Sequence, residues 1–153
     1  MWLTSRSHYG LIALVELARS YGQGLVPLSR VTQSQHLPMP YLEHLVMPLR
    51  KAGIVRGSRG QHGGYELVQP PERVTVNQVV RALDGEFAPV DCVTGDYQSG
   101  TCVREDQCTS RFVWERLKES VNEVLDSITL ADLCREPAEN LHKLDSLMQL
   151  TRI

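Results

Sequence analysis

The sequence contains no apolar run near the roughly 18 residues that a membrane-spanning helix requires. The apolar stretch at its start, MWLTSRSHYGLIALVELA, is interrupted by Glu16 and is followed by no cleavage-site pattern, which indicates an amphipathic helix. We therefore expect a soluble, cytoplasmic protein with no membrane partner.

Residue patterns typical of an enzyme are also lacking. The chain has no phosphate-binding loop ending in Lys-Ser or Lys-Thr and no nucleophile paired with a base, so we name no catalytic residue and expect no enzyme. Aromatic residues make up only 6% of the 153 residues, although the hydrophobic share of 42% still permits a compact core.

The net charge of −2 argues against a nucleic-acid partner only when the chain is taken as a whole. Residues 1–69 hold seven Lys or Arg against three Asp or Glu, a balance of +4. Residues 70–153 hold nine against fifteen, a balance of −6. This asymmetry indicates a basic half that faces nucleic acid and an acidic half with another role.

A glycine-rich stretch, Gly53 to Leu67 (GIVRGSRGQHGGYEL), predicts a β-hairpin with a basic tip. Its short apolar ends flank residues that include four glycines, and glycine permits tight turns and close approach to another surface. Such a loop can present Arg56, Arg59 and His62 outward.

Residues 40–52, directly before this hairpin, predict a helix with one buried and one polar face. The apolar residues at helical spacing are Leu42, Leu45, Val46 and Leu49. The other face carries Tyr41, Glu43, His44, Met47, Arg50 and Lys51. A helix with a polar reading face followed by a basic hairpin is typical of a winged helix-turn-helix that binds double-stranded DNA.

Other helical segments complete a mainly α fold in which the hairpin is a small wing. The first helix is expected from Ser5 to Ser20, and its predicted buried residues are Leu11, Leu14, Val15 and Ala18. Thr75-Val76-Asn77-Gln78 predicts a capping box. Residues 110–128 predict a long amphipathic helix, which cannot bury its apolar stripe alone, so pairing with its copy in a homodimer is the simplest arrangement.

Four regions follow from these elements. They are a winged helix-turn-helix domain (residues 1–85), a cysteine-bearing cluster loop (86–109), a dimerisation helix with a short turn (110–134) and a C-terminal tail (135–153).

Three cysteines, Cys92, Cys102 and Cys108, lie in the least regular part of the chain, with gaps of nine and five residues. Clustered cysteines in a cytoplasmic chain bind metal or sense redox state more often than they form structural disulfides. Three thiolates can ligate an iron–sulfur cluster, or zinc with a fourth partner, although the spacing is not the Cys-x2-Cys of many zinc sites. Reversible thiol chemistry and inert thiols remain open from spacing alone. Cys134 lies apart and is expected to pack in a core.

A fourth ligand would have to come from elsewhere. His44 and His62 lie where DNA is expected, His142 lies in the tail, and His36 lies in the turn before the reading helix. His8 lies on the first helix, which could meet the cysteine loop of a neighbouring chain, yet an ordinary surface histidine is the simpler interpretation of its position.

Taken together, these segments resemble the Rrf-type winged-helix transcription regulators (the IscR/NsrR/CymR-like family). The resemblance lies in Leu3-Thr4 with Tyr9, in PYLEHLVMPLRKAGIV, RGQHGGYEL, VTVNQVVRALDG and ITLADL, and in the cysteine triad. It covers residues 1–134 and leaves the last nineteen outside. It implies a homodimeric transcription regulator whose cysteine loop holds an iron–sulfur cluster.

The family's DNA contacts fall on positions of the reading helix and of the wing. By this resemblance, with neighbours in the same segments added, the predicted DNA-binding residues are Met39, Pro40, Tyr41, Glu43, His44, Arg50, Arg59 and Gly60.

Two departures from the family concern the cluster. The cysteine gaps of IscR-like members are five and five, and those members use a histidine three residues after the last cysteine, where this chain has Arg111. In the nitric-oxide-sensing members an acidic residue of the partner's first helix completes the cluster, and His8 occupies the matching position. The preferred ligands are therefore Cys92, Cys102, Cys108 and the partner's His8. Mixed ligation favours 2Fe–2S over 4Fe–4S.

The sequence thus predicts a DNA-binding transcriptional regulator that senses iron, redox state or nitric oxide through an iron–sulfur cluster. A cluster-free regulator of the same fold, responding through thiols or a small ligand, is the alternative within DNA binding. An iron–sulfur electron-transfer or carrier protein is the alternative outside it, but that function would leave the basic hairpin without a role.

Overall fold

The computed structural model describes residues 4–58, 60 and 63–135, and it has the mainly helical architecture that the sequence predicts. The helices are α1 (Ser5–Arg19), α2 (Leu28–Gln35), α3 (Met39–Lys51), α4 (Val76–Asp84), α5 (Arg111–Ser127) and α6 (Leu130–Leu133). Strands β1 (Val55–Ser58) and β2 (Gly64–Leu67) pair antiparallel as the wing. Within the described part of the chain, every helix is too short or too polar to cross a membrane.

The inner face of α3 forms the centre of the core. Its apolar stripe is at most 3% exposed, as predicted, and consists of Leu42, Leu45, Val46 and Leu49. Residues of α1, α4 and the wing pack against this stripe in one continuous apolar cluster. Burial of this stripe fixes the rotation of α3 about its axis, so the opposite face must point to solvent.

Helix α1 buries a slightly different face from the predicted one. Its buried residues are Ser7, Gly10, Ala13, Leu14, Leu17 and Ala18. The prediction is wrong for Leu11 and Val15, which are only half-buried, and Leu11 packs against the edge of the core. The cause is Gly10, because a Cβ at this position would overlap the side chain of Leu83 on α4. The absence of a side chain at Gly10 lets α4 approach α1, so the buried face of α1 is the one that carries small residues such as Ser7 and Ala13.

The N-termini of α4 and α6 lie side by side. The predicted capping box of Thr75 with Gln78 is present at α4, and Thr129 forms a second one with Asp132 at α6. Thr75 and Thr129 are bridged as in an antiparallel ladder. Leu130 follows this bridge and is fully buried, so α6 belongs to the same core as α1 and α3.

Helix α5 is attached to α4 and the residues just after it at two points, near its C-terminal end and near its middle. Near its C-terminal end, Asp126 accepts hydrogen bonds from the Asn77 amide (2.8 Å) and the Thr75 hydroxyl (3.3 Å). Near the middle of α5, the Lys118 ammonium lies 2.7 Å from the carboxylate of Glu86, just beyond the end of α4. The long helix is therefore held against the winged helix rather than projecting from a single joint.

Candidate nucleic-acid interface and cysteine loop

The outward face of α3 carries most of the side chains predicted to bind DNA. Met39, Pro40, Glu43, His44 and Arg50 are all exposed. The helix is placed by the turn before it, where His36 adopts a left-handed conformation (φ 53°) that ends α2. Arg50 and Lys51 lie in the last turn of α3, where positive charge is also favourable for the helix dipole.

Tyr41 differs from the other predicted contact residues because part of its side chain is packed. It is half-buried, and its ring lies edge-on to that of Tyr9, with centroids 5.8 Å apart and an interplanar angle of 85°. This aromatic pair joins the start of α3 to α1. Tyr41 therefore anchors α3, the predicted reading helix, while part of its side chain remains at the edge of the exposed face.

The wing is fixed firmly at its base. Val26 and Tyr65 exchange backbone hydrogen bonds of 2.9 Å, which adds the α1–α2 connection to the hairpin. A Cβ at Gly64 would lie 2.5 Å from the carbonyl oxygen of Val26, so only glycine allows this approach. Arg56 on β1 is paired with Glu66 on β2 at 2.8 Å.

At the tip of the wing, Gly60 is exposed and has a φ of +117°, a conformation that favours glycine. Arg59, the predicted wing contact, lies outside the described residues, as does His62.

The cysteine loop is held together by the carboxylate of Glu105. This carboxylate accepts hydrogen bonds from the backbone N–H of Gly100 (2.6 Å), the hydroxyls of Ser99 (3.0 Å) and Tyr97 (3.2 Å), and the guanidinium of Arg111 (3.0 Å). These donors, with the backbone N–H of Gly100 first, hold the pKa of Glu105 below its usual range. The loop is thus organised around one ionised side chain.

Arg111 is the residue that stands where the iron–sulfur members have a histidine. Its guanidinium is paired with Glu105 at 3.0 Å and with Glu115 at 2.9 Å, and it lies 5.5 Å from the ring centroid of Tyr97. An arginine cannot ligate a metal as imidazole does, because it stays protonated. Arg111 is therefore an ion-pair partner of the loop and not a metal ligand.

A second polar centre joins the cysteine loop to the winged helix. Lys118 of α5 donates to the carbonyl oxygen of Val93 (2.7 Å), next to Cys92, and contacts Glu86. Glu86 also accepts from the backbone N–H of Gly95 (2.8 Å). The Lys118 hydrogen bond is the main cause that lowers the pKa of Glu86.

The structure does not bring the predicted metal ligands together. Cys92 and Cys108 are half-buried and Cys102 is exposed. Among the described residues, no three His, Cys, Asp or Glu side chains are placed so that they could hold a metal ion. The thiol of Cys108 lies 3.5 Å from the Ser110 hydroxyl, and this contact is the first cause that lowers the pKa of Cys108.

His8 lies at the other end of α5 from the loop of its own chain. It is exposed and lines a shallow apolar groove with Leu125, in the last turns of α5, whereas Cys92 lines a cavity with the first half of α5, from Arg111 to Glu119. Roughly 10–20 Å of helix separates Leu125 from these residues. In this conformation the predicted ligands of one chain are therefore apart, although three thiols and an imidazole are groups that could ligate a cluster.

Cys134 behaves as predicted. It packs against the core at the end of α6, and burial raises the pKa of its thiol. The residues that the sequence analysis did not single out are Glu105, Glu86 and Lys118. The only available signal for them was the density of acidic, glycine and serine residues between the cysteines, which is typical of side chains that bond to nearby backbone N–H groups.

Comparison with known proteins agrees with this architecture. The sequence profile of a family described as "Iron-dependent Transcriptional regulator", Rrf2, matches residues 3–136. The chain belongs to the Rrf2 family. This membership confirms a transcriptional regulator with a winged-helix fold and excludes an enzyme.

Individual Rrf2 proteins are similar over most of their length. The transcriptional regulator CymR of Bacillus subtilis (strain 168) is 37% identical over 133 residues, which are 87% of this chain and 89% of that protein. The regulator IscR of Vibrio campbellii is 33% identical over 137 residues, 89% of this chain and 79% of that protein.

Solved structures of family members superpose on the same elements. The structure of CymR, described as the global cysteine regulator of B. subtilis, has a TM-score of 0.68 and 38% identity, covering 88% of this chain and 96% of that one. The T. potens IscR structure has a TM-score of 0.64 and 37% identity, covering 87% of this chain and 85% of that one.

Proposed function

We propose that this Rrf2 regulator binds its operator as a homodimer in the cytoplasm, with α3 in the major groove and the wing beside it. The observation that carries the proposal is the outward face of α3, where Glu43, His44 and Arg50 stand exposed opposite a fully buried stripe. The balance of +4 in residues 1–69 supports it, because attraction to phosphates acts through this half of the chain.

Each predicted contact residue has a role in this proposal. Residues near the start of α3 meet base edges, and Arg50 near its end contacts phosphate. Glu43 accepts from a cytosine amino group, since a carboxylate facing DNA is otherwise repelled. Arg59 enters the minor groove beside Gly60, where the negative potential of a narrow groove attracts a guanidinium.

The homodimer forms through α5. No residue of this helix is buried in the described chain, and Val113, Leu117 and Val124 are 53%, 42% and 54% exposed. Their spacing of four and seven residues places them on one stripe of the helix. A stripe of this kind needs a partner helix, and a second copy of α5 supplies the same stripe.

For the sensing site we propose an iron–sulfur cluster held by Cys92, Cys102 and Cys108, with the partner's His8. Three thiols within one loop are the ligands that such clusters take, and the cluster would supply a redox-active group at this end of α5. We place the two α5 helices antiparallel in this dimer, which would bring the His8 end of one helix beside the loop end of the other and make His8 available as a ligand from the partner.

In this conformation the three thiols do not converge, so ligation requires the contacts around Glu105 to rearrange. The same observation favours the second candidate, a cluster-free regulator whose thiols or a small ligand act on a loop already closed by Arg111. The two candidates share the DNA-binding surface and differ only in what changes the loop.

The experiment is an anaerobic reconstitution of the purified protein with iron and sulfide counts, an absorption spectrum, and a gel shift on the promoter of its own gene. We expect about two irons per chain for a 2Fe–2S cluster. Cys92→Ala, Cys102→Ala and Cys108→Ala should each abolish the visible absorption, and the matched control Cys134→Ala should retain it. His8→Ala should leave a labile cluster with a shifted spectrum.

Operator binding without bound iron, altered by thiol oxidation, would establish the cluster-free candidate instead. Failure to bind any DNA would remove the proposed function itself.

A further inference from the structure

One apolar side chain stands in the middle of the polar face of α3. Met47 is 72% exposed, whereas the other exposed large hydrophobic residues described before residue 86, such as Val68, do not exceed 42%. Single exposed hydrophobic side chains are common on protein surfaces, so exposure alone assigns no role to Met47. Its position on the helix does.

Helix geometry surrounds Met47 with the side chains proposed to contact DNA. It follows Glu43 by four residues and His44 by three, and it precedes Arg50 by three, so all of these are its neighbours on the helix surface. The three neighbours are exposed, and the four apolar residues of α3 that form the core lie on the opposite side. Met47 is thus an isolated apolar group in the centre of a polar surface.

The chemistry of the major groove offers one apolar group on the base edges, the C5-methyl of thymine. Charged and polar neighbours such as Glu43 and His44 read donors and acceptors and gain nothing from a methyl group. The unbranched thioether of methionine adapts its shape to small apolar surfaces. A protein partner is disfavoured here, because such interfaces need a contiguous apolar patch and Met47 is ringed by charge.

We propose that Met47 contacts the C5-methyl of a thymine in each operator half-site and so adds a thymine to the recognised sequence. This inference rests on the proposed function, in which α3 lies in the major groove. Met47 carries no charge, so its contribution is to sequence choice and not to phosphate attraction.

The test uses the full-length protein and the operator obtained from it by selected-site sequencing. Each thymine is replaced in turn by deoxyuridine, which removes only the C5-methyl group and keeps every hydrogen-bonding atom. Wild-type protein should lose affinity about fourfold at one thymine per half-site, the factor that corresponds to burying one methyl group.

Met47→Gln keeps the length of the side chain and removes its apolar end. This variant should bind the parent operator more weakly and show no further loss with deoxyuridine at the sensitive position. Met47→Leu should restore most of the deoxyuridine effect. Because Met47 is exposed, circular dichroism and unfolding of both variants should match wild type.

Two results would overturn the inference. Sequence-specific binding with no deoxyuridine-sensitive thymine would remove Met47 from readout and leave the proposed function intact. If Met47→Gln lost as much affinity with deoxyuridine as wild type does, the loss would come from a change in the DNA and not from a contact with Met47. If selection yields no preferred sequence at all, the proposed function fails, and the Met47 contact fails with it.

Discussion

The winged-helix half and the cysteine-loop half of this protein are held together by different forces. Before residue 86 the described helices share a continuous core of fully buried leucines and valines. In residues 86–127 only Ala88 and Val93 are buried hydrophobic residues, and the loop is held by hydrogen bonds to Glu86 and Glu105. An apolar core resists small chemical changes, whereas a partly exposed polar network opens at low free-energy cost. In the proposed function, the DNA-binding surface is therefore rigid and the loop proposed to receive the signal is adaptable.

The largest expected effect compares the same substitution in both halves. Leu42→Ala, in the core of α3, should lower the free energy of unfolding by about 2–5 kcal/mol. Leu117→Ala, on the exposed stripe of α5, should lower it by less than about 1 kcal/mol per chain and weaken the dimer instead. Urea unfolding at two protein concentrations separates the two effects, since only dimer loss depends on concentration. Equal losses in the free energy of unfolding would mean that both halves of the protein share one core.

Next in size is the wing. Arg59→Ala should weaken operator binding by roughly 1–3 kcal/mol without changing unfolding, because a rigid base holds the hairpin whatever its tip carries. Arg56→Ala is the matched control, since Arg56 is already paired with Glu66. Fluorescence anisotropy at physiological salt measures both. An unchanged affinity for Arg59→Ala would remove the wing from the interface.

A smaller effect is expected from the reading helix. Glu43→Ala should relax the choice of base at one position, with discrimination falling by roughly 1 kcal/mol. Total affinity should change little, because the loss of the cytosine contact is offset by weaker repulsion from phosphate. Selected-site sequencing of the variant measures this effect. A motif identical to that of the wild type would mean that Glu43 does not contribute to base recognition.

The smallest expected effect concerns the loop and pH. The carboxylates of Glu86 and Glu105 have folded-state pKa values below that of a free glutamate, about 4.3. Their contacts therefore stabilise the loop fully above that pH, and the contribution is lost as the pH falls through the lower folded-state values. Amide proton shifts of Gly95 and Gly100 should report this titration.

The control for this titration lies within the loop itself. Glu105→Gln should abolish the response of Gly100 and preserve that of Gly95, because each amide donates to a different carboxylate. If both amides respond together in the variant, the loop opens as one unit with the rest of the protein.

The two halves also differed in how far the sequence predicted them. The spacing of Leu42, Leu45, Val46 and Leu49 was sufficient to predict the buried face of α3, because helical periodicity is a repeated signal. The Thr75–Gln78 capping box was predicted for a similar reason, since its two partners stand at a fixed spacing.

The remaining features depend on pairs of residues that have no period. Gly10 turns the buried face of α1 only because Leu83 lies opposite, which is a tertiary contact. Glu105 collects donors from irregular positions, and Arg111 appeared in the sequence only as a missing histidine. The sequence could therefore suggest a role for the cysteines, but it could not show how the loop around them is closed.

The attachment of α5 at two points, near its C-terminal end and near its middle, has a mechanical consequence. A helix held at two points cannot rotate about either contact alone. A conformational change in the cysteine loop is therefore transmitted to the whole protomer and is not absorbed by a movement of α5 alone. In the proposed dimer the available movement is a rolling of one protomer against the other along the α5 seam. Half-sites on DNA repeat at about 34–36 Å, a distance fixed by the double helix. Even a small rotation of this kind would change the distance between the two α3 helices, so that it no longer matches the half-site spacing.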